Sequence, residues 1–154
     1  MRRPLASKFL VVALTACASA VTAQIADPRN GCIVHNPNPK PGESITWSGG
    51  CQDGLAHGTR TIAWFLDGEP NGRFEDVLTN GRIVGEGTNH YASGSRYSGR
   101  FLDGIPEGPG TFYFADGRRY VGTWRSGKPD GAGVLFSPDG KATPQTWKKG
   151  ARVN

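Results

Sequence analysis

The sequence predicts an all-β protein, built as an elongated antiparallel meander of stacked β-hairpins. Three observations carry this. None of the 23 glycines falls in the first 23 residues, so beyond them roughly one residue in six is Gly, against an average near ~7%. With 11 prolines in the chain, no window remains for a long helix after residue 31, because an interior Gly costs ~1 kcal/mol and an interior Pro ~3. Glycines and aromatics also recur at one fixed spacing from residue 74 onward. Helical bundles and doubly wound α/β folds are thereby excluded. So is collagen, whose glycines fall at every third position. Four Trp, seven Phe and four Tyr argue against a disordered chain.

The first 23 residues are a separate element. Arg2, Arg3 and Lys8 precede a short apolar run, residues 9–16, too short for the ~20 residues that span a bilayer. A basic head before a short apolar core reads as a secretory signal peptide of bacterial type, residues 1–23. Two processing sites compete. Val21-Thr22-Ala23 places small residues where a signal peptidase reads, making Gln24 the first mature residue. Leu14-Thr15-Ala16-Cys17 resembles a lipobox, which implies diacylglycerol on Cys17 and a membrane anchor. Either way the chain is exported, to the periplasm or cell envelope.

Residues 24–46 are a Pro-rich lead-in. With Cys17 removed or lipidated, Cys32 and Cys51 remain as a pair. In an oxidising compartment such a pair forms a disulfide, closing a loop worth roughly 3 kcal/mol in the chain-entropy model. His35 and His57 lie near these cysteines in sequence, but the tight spacing of a metal site is missing. No metal and no cofactor is expected. Beyond residue 23 the balance is 15 basic against 13 acidic residues, with no basic run longer than two. Nucleic-acid binding needs a concentrated basic footprint, so it is excluded.

The period is 23 residues. Tyr97, Gly99, Phe101 and Gly104 align with Tyr120, Gly122, Trp124 and Gly127. Gly108 and Gly110 align with Gly131 and Gly133, and Asp116-Gly117 with Asp139-Gly140. Trp147 and Gly150 continue the series, while Phe74, Leu78, Gly81, Gly85 and Gly87 precede it. An earlier unit, starting at Trp47 with Gly49, Gly54 and Gly58, is four residues out of register; an insertion around 67–72 accounts for that. Residues 47–150 therefore divide into units near 47–69, 74–96, 97–119 and 120–142, with a partial unit 143–150. Alternate side chains of a strand share a face, so Tyr120, Gly122 and Trp124 lie together, and the bare Gly gives a ring room to cover backbone. Gly104 and Gly127 break the strand, Gly131 and Gly133 start the return strand, and Asp-Gly supplies the hairpin turn. A single hairpin is marginal in water, so the units must stack.

This pattern, Tyr-x-Gly-x-Trp/Phe-x-x-Gly-x-x-x-Gly-x-Gly and then Asp-Gly, resembles the MORN repeat. Units 97–119 and 120–142 match closely. Asp76 stands where unit 74–96 should have its first Gly, and Arg60 replaces a Gly in unit 47–69. The Cys32–Cys51 segment looks like the lead-in of some exported bacterial MORN proteins. The resemblance implies a non-enzymatic scaffold that binds a protein or a membrane surface.

The residues themselves show no catalytic frame. Asp53, Asp67, Asp103, Asp116 and Asp139 all precede Gly, which is turn chemistry. Glu86 and Glu107 flank Gly pairs and read as solvated. No nucleophile, base and orienter assemble by motif, so no catalytic residue is assigned. The aromatic row Tyr97, Phe101, Tyr120, Trp124 and Trp147 is the one feature that could bind a partner. It is either a thin core over the glycines or an exposed groove. The near-neutral mature chain favours an envelope protein as partner over bare phospholipid, since each basic residue near an anionic surface is worth only ~1 kcal/mol. The alternative is an envelope enzyme or accessory protein binding a glycan such as peptidoglycan, with Trp124 and Trp147 as platforms and two acids facing one cleft.

Overall fold

The computed structural model describes residues 23–154; the signal-peptide and Cys17 readings lie outside the described residues. There is no helix among the described residues. The strands are β1 (Ala23–Ala26), β2 (Ile33–Asn36), β3 (Glu43–Trp47), β4 (Gly50–Gln52), β5 (Leu55–Leu66), β6 (Glu69–Thr79), β7 (Arg82–Tyr91), β8 (Arg96–Leu102), β9 (Ile105–Tyr113), β10 (Arg119–Arg125), β11 (Lys128–Phe136), β12 (Ala142–Lys148) and β13 (Ala151–Arg152). From β5 to β13 each strand pairs antiparallel with the next, as the repeat predicts.

Two kinds of turn alternate from β6 onward; the preceding β5–β6 connection, Asp67-Gly68 with φ of 52° and 85°, is also tight. Asp103-Gly104 and Ser126-Gly127 have φ near 50° and then near 76–79°, as do Asn80-Gly81 and Lys149-Gly150 within a few degrees. Positive φ at both positions defines the two-residue turn whose twist matches the flanking strands. These dipeptides therefore turn the chain outright, and the return strands begin at Ile105 and Lys128, earlier than the Gly-x-Gly pairs. Asp116-Gly117 and Asp139-Gly140 sit instead in wider loops. There the Asp116 and Asp139 carboxylates accept from the Arg118 and Lys141 backbone N–H, both at 3.1 Å, a side-chain mimic of a turn.

The tight turns stack on one another. The N–H of Gly104 donates to the Ile83 carbonyl at 2.9 Å, that of Gly127 to Pro106 at 3.0 Å, and that of Gly150 to Pro129 at 2.9 Å. Glu107 is not merely solvated, because its carboxylate accepts from the Ser126 N–H at 2.8 Å. Asp130, one period later, does the same for Lys149 at 3.3 Å. A β-bulge also recurs, after Asp76, Gly99 and Gly122.

The lead-in is more ordered than its prolines predict. Residues 24–46 contribute three strands, and the Pro37–Pro41 stretch is the connection from β2 to β3. Long β5 is shared: its first part pairs with β4, its second with β3. Cys32 and Cys51 are disulfide-bonded with Cα atoms 5.5 Å apart, tying β4 to the turn before β2. Asp27, fully buried, organises this corner. Its carboxylate accepts from the Trp47 N–H at 2.6 Å, the Arg29 N–H at 2.8 Å and the Arg29 guanidinium at 2.8 Å. The guanidinium, aided by those backbone donors against the cost of burial, holds the Asp27 pKa down at about 2. The edge of β12 is guarded. Pro144 has no N–H to offer a neighbour, and Thr146 is bonded by the N–H of Val153 and by the Asn154 side chain.

Candidate functional site

The shared face of the repeat strands carries the predicted aromatics, and the two positions of each unit interlock. Phe74, Phe101, Tyr97, Trp124, Tyr120 and Trp147 form a continuous ladder. Successive ring centroids are 5.2, 5.1, 5.1, 6.0 and 5.9 Å apart, each pair near edge-to-face. That geometry is favoured by the ring quadrupole and worth about 0.5–1.5 kcal/mol per pair beyond burial. The glycines make it possible. The Tyr97 ring covers Gly110, and the Tyr120 ring covers Gly122 and Gly133.

Four of the five residues of the expected binding face are therefore core. Tyr97 is 0% exposed, Phe101 2%, Tyr120 3% and Trp124 8%. Burial pushes the Tyr97 phenol up to about 12 and raises that of Tyr120. Trp147 is half-buried against this cluster. The reason is geometric: Tyr97 and Tyr120 each have a bare Gly two residues on and another across the strand pair, so their rings lie down on the sheet, and Phe101 and Trp124 are buried edge-on against those rings.

The ladder is covered unequally. At the end formed by β5–β8, the segment between β2 and β3 packs over it, with Pro37 against Gly104 and the His35 N–H bonded to the Gly81 carbonyl at 2.7 Å. At the other end, across β9–β12, the face is open. A groove of about 310 Å³ lies there, lined chiefly by Phe112, Phe114, Trp124, Leu135 and Trp147, with Arg118 and Arg152 at its margin. Gln145 is buried in its floor, its amide oxygen accepting from the Trp147 indole at 3.2 Å. Arg118 stacks on Phe114, 4.8 Å from the ring centroid, while ion-paired to Asp116 at 2.8 Å.

The aromatic row alone misses Phe112, Phe114 and Leu135. Phe112 and Leu135 are 23 apart and pair with Tyr120 from either side. Placing the return strand in phase with its partner is the signal that finds them. No acidic side chain lines the groove. The charge is also uneven along the sheet: residues 96–154 hold ten basic and five acidic side chains, residues 24–95 five and eight. The groove thus sits at the positive end. Its chemistry is that of an apolar slot with cationic margins. The pair of carboxylates that a glycan-cleaving enzyme needs is not at this groove.

The family model of the MORN repeat matches residues 78–96, 97–118 and 120–142, the stretch running from the end of β6 through β11 and the loop that follows it. No curated protein matches the chain.

Proposed function

From the premise that this is a MORN-repeat protein, we propose that it is an exported binding scaffold of the cell envelope whose C-terminal groove holds an acidic segment of a partner protein. MORN repeats are binding and scaffolding modules without catalytic parts of their own. The observation that carries the reading is the open end of the aromatic ladder: an apolar groove with Arg118 and Arg152 beside it, no acid in its lining, and a basic half-sheet around it. An apolar side chain fills the slot and acidic neighbours meet the margin, so charge steers the encounter and apolar burial holds it. Export is supported by the basic head and short apolar core of residues 1–23, and the Cys32–Cys51 disulfide fits an oxidising compartment.

The test uses tryptophan fluorescence with synthetic peptides carrying an apolar residue among acidic ones. Saturable binding is expected, weakening as salt rises, lost in Leu135→Glu and absent for basic peptides of the same apolar content. Equal binding of acidic and basic peptides, or an unaffected Leu135→Glu variant, would overturn the reading. Anionic phospholipid vesicles are the second arm; binding to them in preference to any peptide would transfer the role to a membrane surface.

A further inference from the structure

We propose that the cleft at the opposite end of the ladder, between the β2–β3 segment and the β5–β8 hairpins, is a saccharide-binding site. It has a volume of about 230 Å³ and is lined by Asn36, Glu43, Trp64, Asn71, Asn89 and Tyr91, among others. This site is separate from the peptide groove and independent of that reading.

Asn89 is the clearest sign. On β7 it lies between Phe74 of β6 and Tyr97 of β8, within the apolar face. The positions one and two periods later are Phe112 and Leu135, both part of the aromatic packing. An amide has taken an apolar position, and it finds no hydrogen-bond partner among the described residues. The partly buried amide borders the open cleft, where the polar groups of a ligand can reach it.

The other groups converge on the same cleft. Asn36, only 7% exposed, donates its side-chain N–H to Glu43 Oε2 at 2.5 Å, which also accepts from the Lys40 N–H at 3.3 Å. The carboxylate is thereby held in place through one oxygen, and Oε1 has no partner among the described residues. Trp64 is half-buried and Tyr91 is 37% exposed, so both rings border the space. Lys40 is the counter-charge to Glu43 in the lining. Amides and a carboxylate present donors and acceptors side by side, the arrangement that adjacent ring hydroxyls satisfy. Aromatic walls suit the apolar C–H faces of the same ring. Glu43 is the single carboxylate there, whereas glycosidic cleavage takes two, so the site is one of binding.

The experiment titrates the full exported protein with chitotetraose and cellotetraose, following tryptophan fluorescence and amide shifts by NMR. Saturable shifts confined to the cleft residues are expected for at least one of the two. Asn89→Phe, which installs the residue of the next unit, should fold as well as the parent and weaken binding by about tenfold or more, as expected when a bonded polar contact is lost. Glu43→Gln should weaken it less, and Leu135→Glu in the distant groove not at all. Absence of any saturable shift with both sugars would overturn the proposal, as would undiminished binding by a folded Asn89→Phe variant.

Discussion

The ring of Tyr120 lies against the bare backbone of Gly133 on the neighbouring strand, where a Cβ would come within 2.7 Å of ring carbon Cε2. The φ at Gly133 is not in the left-handed region, so its need for Gly is steric alone. Gly133→Ala, and Gly122→Val on the same ring, should each destabilise by about 1–3 kcal/mol through overpacking. Gly50, which has open space at its Cβ and no positive φ, is the control: Gly50→Ala should stay within about 0.5 kcal/mol. Denaturant melts of the three variants check this.

Asp76 points the other way. It holds φ at 135°, where its equivalent Gly99 has 156°, and a non-Gly residue in such a conformation stores on the order of 1–3 kcal/mol. Asp76→Gly relieves that strain at the entropic cost of a freer unfolded chain. A net gain of about 1 kcal/mol is expected, read as a raised Tm with the peptide groove unaffected.

Acid sensitivity should centre on Asp27. Its pKa is lowered from an ordinary value near ~3.9 to about 2 by Arg29 and two backbone donors. The ionised carboxylate therefore stabilises the fold above pH ~4, and that contribution, on the order of 2 kcal/mol, is lost as pH falls toward 2. Asp27→Asn should lower Tm at neutral pH and flatten the dependence of Tm on pH between about 4 and 2. A variant with this substitution that kept the parent's full acid slope would count against the assignment.

These three sites show unevenly in the sequence. The ladder and its glycines are legible because each unit repeats a local spacing that only one backbone geometry satisfies. The two-residue turns are harder to place, since Ser126-Gly127 and Lys149-Gly150 lack the Asp or Asn that marks such turns, and the conspicuous Asp-Gly pairs at 116–117 and 139–140 belong to the wider loops. Strands β1–β3 give no periodic signal: each has only four or five residues, and β3 reaches past β4 to pair with the second part of β5. Asn89 becomes informative only once its neighbours Phe74 and Tyr97 fix which face it occupies.

Reduction of the Cys32–Cys51 bond should cost roughly 3 kcal/mol for a loop of about 20 residues. A lower Tm in dithiothreitol, with no change in Cys32→Ala/Cys51→Ala, is the expected result. Two free thiols in exported protein by non-reducing mass spectrometry would contradict it.

Cys17→Ser tests the two processing routes. With Ala23 as the cut site, processing and solubility are unchanged. With a lipidated Cys17, the variant stays unprocessed while the parent partitions into detergent, because two acyl chains anchor stably.

The stacked turns also give the molecule a mechanical grain. Strands β1 and β13 lie at opposite edges of the sheet, so tension applied between them pulls across the hydrogen-bonded ladder and loads one strand pair at a time. Each Gly N–H that bridges to the preceding hairpin is then a separate latch. Under load the hairpins far from the disulfide should release in sequence, each lengthening the chain by a similar step, while the corner tied by Cys32–Cys51 stays shut. A sheet with this behaviour gives way gradually and re-forms when slack returns, with the disulfide-tied corner intact.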